Sequence, residues 1–222
     1  MQLDSVQIGV RDLAVASRAY RFLLGVSPVD VPNGAVRFQL QRGAVEIEPG
    51  EPGLRSLRFG NDRHAAVDDG CNGLVVHFDA RAETQKPEPN AAAFDAIDHV
   101  VIHSPNLDRA IALWRDRLGL RLALDREFPA RGLRMLFFRS GSITLEFVGA
   151  IGASADAAGP DRLYGMAYRV RDLNACRARL LQRGVDVSEI RPGNKRGTVV
   201  ATVRSGTEGV PTLLIEDPSR EG

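Results

Sequence analysis

Ile97-Asp98-His99-Val100-Val101-Ile102-His103-Ser104-Pro105-Asn106-Leu107 is the stretch on which the fold turns. Its first six residues are a short apolar run suited to a strand, and Ser104-Pro105-Asn106 then breaks the run and offers an N-cap. From Leu107 the apolar positions are 107, 110, 111, 114 and 118, the stripe of an amphipathic helix, and Gly119 stands where a C-terminal cap belongs. Three further strands are expected over 120–124, 133–139 and 143–148, with Gly-Ser punctuation between the last two. The unit reads βαβββ.

The same unit recurs. Leu3, Asp4, Val6 and Ile8 lie over Ile97, Asp98, Val100 and Ile102 when the chain is slid on itself, and Leu13, Ala16, Tyr20, Leu24 and Gly25 then meet Leu107, Ala110, Trp114, Leu118 and Gly119. A second slide lays Leu163, Leu173, Cys176 and Leu180 over Ile97, Leu107, Ala110 and Trp114, with strands expected at 164–170, 185–187, 198–204 and 212–216 and a helix from Leu173 closed by Gly184. A weaker copy has strands at 54–59 and 73–79, but Asn61 to Asn72 is too polar for its helix. The expected organisation is a degenerate half over 1–80, a linker over 81–95 around Lys86-Pro87-Glu88-Pro89, and a second half over 96–222 built from modules 96–149 and 161–217.

Composition narrows the classes. The 222 residues are 44% hydrophobic, enough for a sizeable core, and the net charge of +1 argues against nucleic acid as a partner. Lys86 and Lys195 are the only lysines, and the arginines are dispersed among acids rather than clustered. Cys71 and Cys176 have no paired spacing, so a disulfide framework is not expected and a reducing cytoplasm is. No apolar stretch is long enough to span a bilayer, so a membrane is not expected as a partner.

Tandem βαβββ units whose first strand opens Ile-Asp-His-Val, as Ile97 to Val100 do, and whose last strand carries a Glu resemble the vicinal oxygen chelate superfamily. It includes glyoxalase I, methylmalonyl-CoA epimerase, extradiol dioxygenases and fosfomycin or bleomycin resistance proteins. The resemblance implies an α+β fold of two half-open barrels, from which the second module, eroded and lacking its helix, departs. It also implies a divalent metal held by side chains of first and fourth strands. Carried over by position, the ligand places are His99 and Glu146 in the third module and Glu216 in the fourth, where Gly165 stands opposite His99. In the first half Ser5 matches His99, Glu48 matches Glu146, and His77 lies near the place of Glu216.

A histidine and two carboxylates form an oxygen-rich donor set suited to Mn, Fe, Co, Ni or Mg as well as Zn. Each carboxylate interrupts an apolar strand, where it is costly without a partner. The implied chemistry is that of an isomerase, epimerase or lyase on a small oxygenated substrate, with His99 and Glu146 as ligands and Glu216 as ligand and base. Arg169 and His103 are the candidate substrate contacts. Gly165 removes the second histidine of an extradiol dioxygenase and ranks that activity low. The alternative is a metal-free protein that holds a small hydrophobic or aromatic molecule.

Overall fold

The computed structural model describes all residues except 32–33, 61–69, 80–89, 91–92, 155–156 and 221–222. In the first copy β1 (Gln2–Val10) leads into α1 (Leu13–Leu24), followed by β2 (Val29–Val31), β3 (Ala35–Gln39) and β4 (Ala44–Pro49). The second copy supplies β5 (Gly53–Gly60) and β6 (Val75–Asp79). The third supplies β7 (Phe94–His103), α2 (Leu107–Ile111), β8 (Arg121–Phe128), β9 (Leu133–Ser140) and β10 (Ile143–Ala150). The fourth supplies β11 (Arg162–Val170), α3 (Leu173–Gln182), β12 (Arg191–Pro192), β13 (Val199–Val203) and β14 (Thr212–Glu216). The helix question in the second copy falls on residues 61–69, outside the described residues.

The architecture is α+β, two sheets of mixed strands with few helices. One sheet has the order β2-β3-β4-β1-β5-β6 and the other β12-β13-β14-β11-β7-β10-β9-β8. In both, the first strand of a copy runs parallel to its fourth, as β1 does to β4, β7 to β10 and β11 to β14. The strand expected at 185–187 is reduced to one bridge, Val187 with Val203. Among the described residues no helix is long and apolar enough to cross a membrane.

The helices begin and end where local chemistry directs. Asp12, Asn106 and Asp172 each accept a hydrogen bond from the backbone N–H three residues on, at Val15, Arg109 and Ala175, relieving donors that a first helical turn leaves without partners. Gly25 closes α1 at φ +74°, a left-handed conformation that a side chain would oppose. The third copy departs from its simple stripe. After Ile111 the helix widens into a π turn over Ala112–Arg117, with Leu118 N–H bonded to the Leu113 carbonyl. The wider turn sets Trp114 fully inside, 5.8 Å from the Phe59 ring and 5.7 Å from Phe147.

By contacts the chain forms two units, each gathered from separated segments. One comprises Met1–Asp4, Ser56–Ala82 and His99–Gly165, the other Ser5–Arg55, Glu83–Asp98 and Met166–Gly222. The core of the first is built on Trp114, Phe59, Phe138 and Phe147, and that of the second on Tyr20, Phe38, Phe94 and Tyr168. In the second the Tyr20 hydroxyl donates to the Thr207 carbonyl at 3.1 Å, and Arg179 donates to the carbonyls of Phe22 and Leu23 at the end of α1.

Candidate functional site

Alternation along β10 separates two faces. Leu145 and Phe147 are fully buried, and Phe147 meets Trp114, so they face the helix; Thr144, Glu146 and Val148 face away from it. Cross-strand partners extend this second face. Thr144 pairs with His99 on β7 and Arg139 on β9, Glu146 with Val101 and Phe137, and Val148 with His103 and Met135. On β8, Leu124 stands opposite Phe137 and Arg126 opposite Met135. The face is thus polar around His99, Thr144, Glu146 and Arg139 and mainly apolar beyond.

His99 and Glu146 are brought together. Imidazole Nε2 and carboxylate Oε2 lie 3.8 Å apart, on side chains 17% and 15% exposed, so both are sheltered yet reachable. Thr144 beside them accepts a hydrogen bond from Arg139 Nη1 at 2.8 Å. Arg139 and Thr144 were not singled out in the sequence. Their signal was available, since both share strand parity with Glu146 or with its partner Phe137.

The other expected ligands lie elsewhere. Glu216 belongs to the other unit, and its Oε2 accepts from the backbone N–H of Leu173 at 2.7 Å, at the first turn of α3. The register explains this. β11 pairs Ala167 with Leu213 just as β7 pairs Val101 with Glu146, so Leu213 occupies the fourth-strand place and Glu216, three residues on, shares its face with buried Leu214. Its carboxylate is thus engaged at the start of the helix, apart from His99 and Glu146 in sequence copy and unit. Changing Glu216 to Ala is expected to cost about 1 kcal/mol of stability, read from urea unfolding.

A divalent ion at this place would meet His99 and Glu146, whereas Gly165 offers no side chain. Among the described residues no group of three or more His, Cys, Asp or Glu is placed to hold a metal. Two protein donors fall short of the three that catalytic sites use, so the described donor set does not fit the implied metal.

The two substrate candidates have different surroundings. Arg169 is buried in the other unit and bonds Asp98 Oδ1 at 3.1 Å, an internal ion pair. His103 is exposed on the same face as His99, with its ring stacked 4.3 Å from that of Tyr164.

The first copy carries a counterpart at a corrected position. β1 pairs Gln7 with Glu46 as β7 pairs Val101 with Glu146, so Glu46, and not Glu48, matches Glu146; Glu48 pairs with Gly9. Glu46 is only 6% exposed and accepts from Ser5 at 3.1 Å, Gln7 at 3.3 Å and Arg37 at 2.5 Å. Arg37 is equally buried and also bonds Gln39. A guanidinium therefore sits against the carboxylate that the resemblance would offer to a metal. His77 lies in the other unit, on β6 opposite Arg58.

Residues 98–202 match the Glyoxalase/Bleomycin resistance protein/Dioxygenase superfamily. The matched stretch, a little under half of the chain, is similar to a domain of this superfamily. A curated relative, ethylmalonyl-CoA/methylmalonyl-CoA epimerase of Cereibacter sphaeroides, is 27% identical over 97 residues, 41% of this chain and 72% of that protein. Among solved structures, methylmalonyl-CoA epimerase from Mycobacterium tuberculosis is similar with a TM-score of 0.46 and 24% identity, covering 57% of this chain and 91% of that one. A Streptomyces coelicolor methylmalonyl-CoA epimerase variant in complex with 2-nitronate-propionyl-CoA aligns with a TM-score of 0.45 and 19% identity, over 57% of this chain and 99% of that one. The stretch matched to the superfamily thus includes His99 and Glu146.

Proposed function

We propose that the chain is an isomerase of the epimerase type, which removes a proton from a carbon next to a carbonyl group. The observation that carries this reading is the sheltered pair of His99 and Glu146, 3.8 Å apart on one face of the sheet. Glu146 is the base. An imidazole N–H of His99, directed at the carbonyl oxygen, stabilises the negative charge that gathers there as the proton leaves. The adjoining apolar side chains, Val101, Phe137, Met135 and Leu124, exclude water around the reacting carbon and strengthen that interaction. The pair accounts for proton removal and for the charge on the oxygen; inversion follows when the planar enolate takes a proton on its opposite face, from solvent.

The curated relative directs the choice of first substrates, methylmalonyl-CoA and ethylmalonyl-CoA. The test is incorporation of deuterium at the carbon between the carbonyls in heavy water, followed by NMR. Exchange reports proton removal whichever face receives the proton back. Exchange that requires Glu146 supports the reading; no exchange with either thioester removes it for this substrate class. Metal content measured on the same preparation tests the implied divalent ion directly.

One observation favours a second reading. The face beyond the pair is lined by Leu124, Phe137, Met135 and Val148, a surface suited to holding an apolar molecule without turning it over. Saturable binding of hydrophobic or aromatic compounds in a protein that exchanges no proton would establish that account.

A further inference from the structure

The rows of the sheet place two arginines beside the proton-transfer pair. Arg121 on β8 stands directly opposite Arg139 on β9, Arg139 opposite Thr144 on β10, and Thr144 opposite His99 on β7. Directly opposed residues share a face, so Arg121, Arg139, Thr144 and His99 form one row across four strands, with Glu146 one step along. The hydrogen bond from Arg139 to Thr144 fixes its guanidinium on this face.

Like charges directly opposite each other destabilise a strand pair. The Arg121 side chain is exposed and makes no hydrogen bond or ion pair with any described residue. Other arginine groupings have local explanations. The cavity of about 250 Å³ lined by Arg21, Arg179 and Arg183 lies at the carboxyl ends of α1 and α3, where helix dipoles favour cations, and Arg179 already serves the α1 carbonyls. No helix end accounts for Arg121 and Arg139. An oxyanion held between their forked donors would turn the repulsion into attraction.

Distance suits such a group. Neighbouring strands lie about 4.8 Å apart, so the Arg139 and His99 backbones are about 10 Å apart across the row. An arginine side chain leaning along the row spans most of that interval. What remains is bridged by a short carbon unit, with the anion at one end and the reacting carbon beside Glu146 at the other.

We propose that Arg121 and Arg139 are specificity-determining residues that clamp an oxyanion of the substrate, a carboxylate in the first instance, next to the carbon that is deprotonated. The proposal rests on the assignment of Glu146 and His99 to proton transfer, but its test reads binding. Malonate, phosphonoacetate and neutral malonamide are titrated calorimetrically into the full chain and into Arg121→Gln, Arg139→Gln and the double variant. Malonate should bind and malonamide should not, with each single substitution weakening malonate roughly tenfold and the double variant abolishing binding. Phosphonoacetate keeps one carboxylate, so it distinguishes the anions by rank: binding tighter than malonate assigns the clamp to phosphate-type groups and overturns the carboxylate assignment, and equal or weaker binding keeps it.

Melting temperatures give a second readout. Without ligand, Arg121→Gln should melt no lower than the wild type, because a like-charge contact is lost, and malonate should raise the melting point most in the wild type and not at all in the double variant. Malonate binding that ignores both substitutions, or that malonamide equals, overturns the clamp. If deuterium exchange persists in that case, proton transfer stands without it. Arginine-dependent malonate binding in a protein that exchanges no proton keeps the clamp and removes the proton-transfer reading.

Discussion

Glu146→Gln lowers the rate of deuterium exchange into an acyl thioester by about 10²–10⁴-fold, the usual share of a positioned general base. The amide preserves the shape of the carboxylate on β10 and its place 3.8 Å from the imidazole, but it cannot take up a proton at neutral pH. Binding of the thioester should change far less than its exchange, since the row from Arg121 to Thr144 is untouched. Stopped NMR exchange with saturating substrate, beside calorimetric titration, separates the two effects. Exchange undiminished in this variant would place the base on another residue.

Arg37→Met destabilises the fold by about 3–5 kcal/mol, the typical cost of removing one partner from a buried ion pair. Arg37 and Glu46 are side chains 7% exposed, joined at 2.5 Å, and the substitution leaves the Glu46 carboxylate without the guanidinium that faces it. Ser5 and Gln7 continue to donate to it, but two neutral donors replace a full charge poorly. The double variant Arg37→Met/Glu46→Leu should recover most of the loss, because an apolar pair of similar volume needs no compensation. Urea unfolding of the two variants checks both statements, and a double variant no more stable than the single one would show that packing, and not charge, is what Arg37 supplies.

The sequence made the repeat, the capped helices and most strands legible, because each rests on local chemistry. Asp12, Asn106 and Asp172 precede apolar stripes at helical spacing, and the structure places an N-cap at each. His99 and Glu146 are carried over by position from the family resemblance, and the pairing of β10 with β7 puts both on one face. Glu216 could not be placed from local pattern. Leu213, Leu214 and Ile215 are all apolar, so alternation does not say which face the next residue takes, and only pairing with β11 decides it. Glu46 and Glu48 share strand parity, so only the partner strand distinguishes them. The π turn at Ala112–Arg117 was hidden because Trp114 belongs to a helical stripe whether the turn is α or π.

The two units also differ in when they can be completed. All segments of the one holding His99 and Glu146 are present once Gly165 has been made. The other joins Ser5–Arg55 to Met166–Gly222, and its bond from Tyr20 to Thr207 spans 187 positions. Contacts this distant slow folding and leave apolar faces waiting for partners. During synthesis the Tyr20 hydroxyl and the last carbonyls of α1 wait for Thr207 and Arg179, which are made more than 150 positions later. For this unit the order of birth and the order of assembly are opposed: the first copy to emerge is the last to find its match.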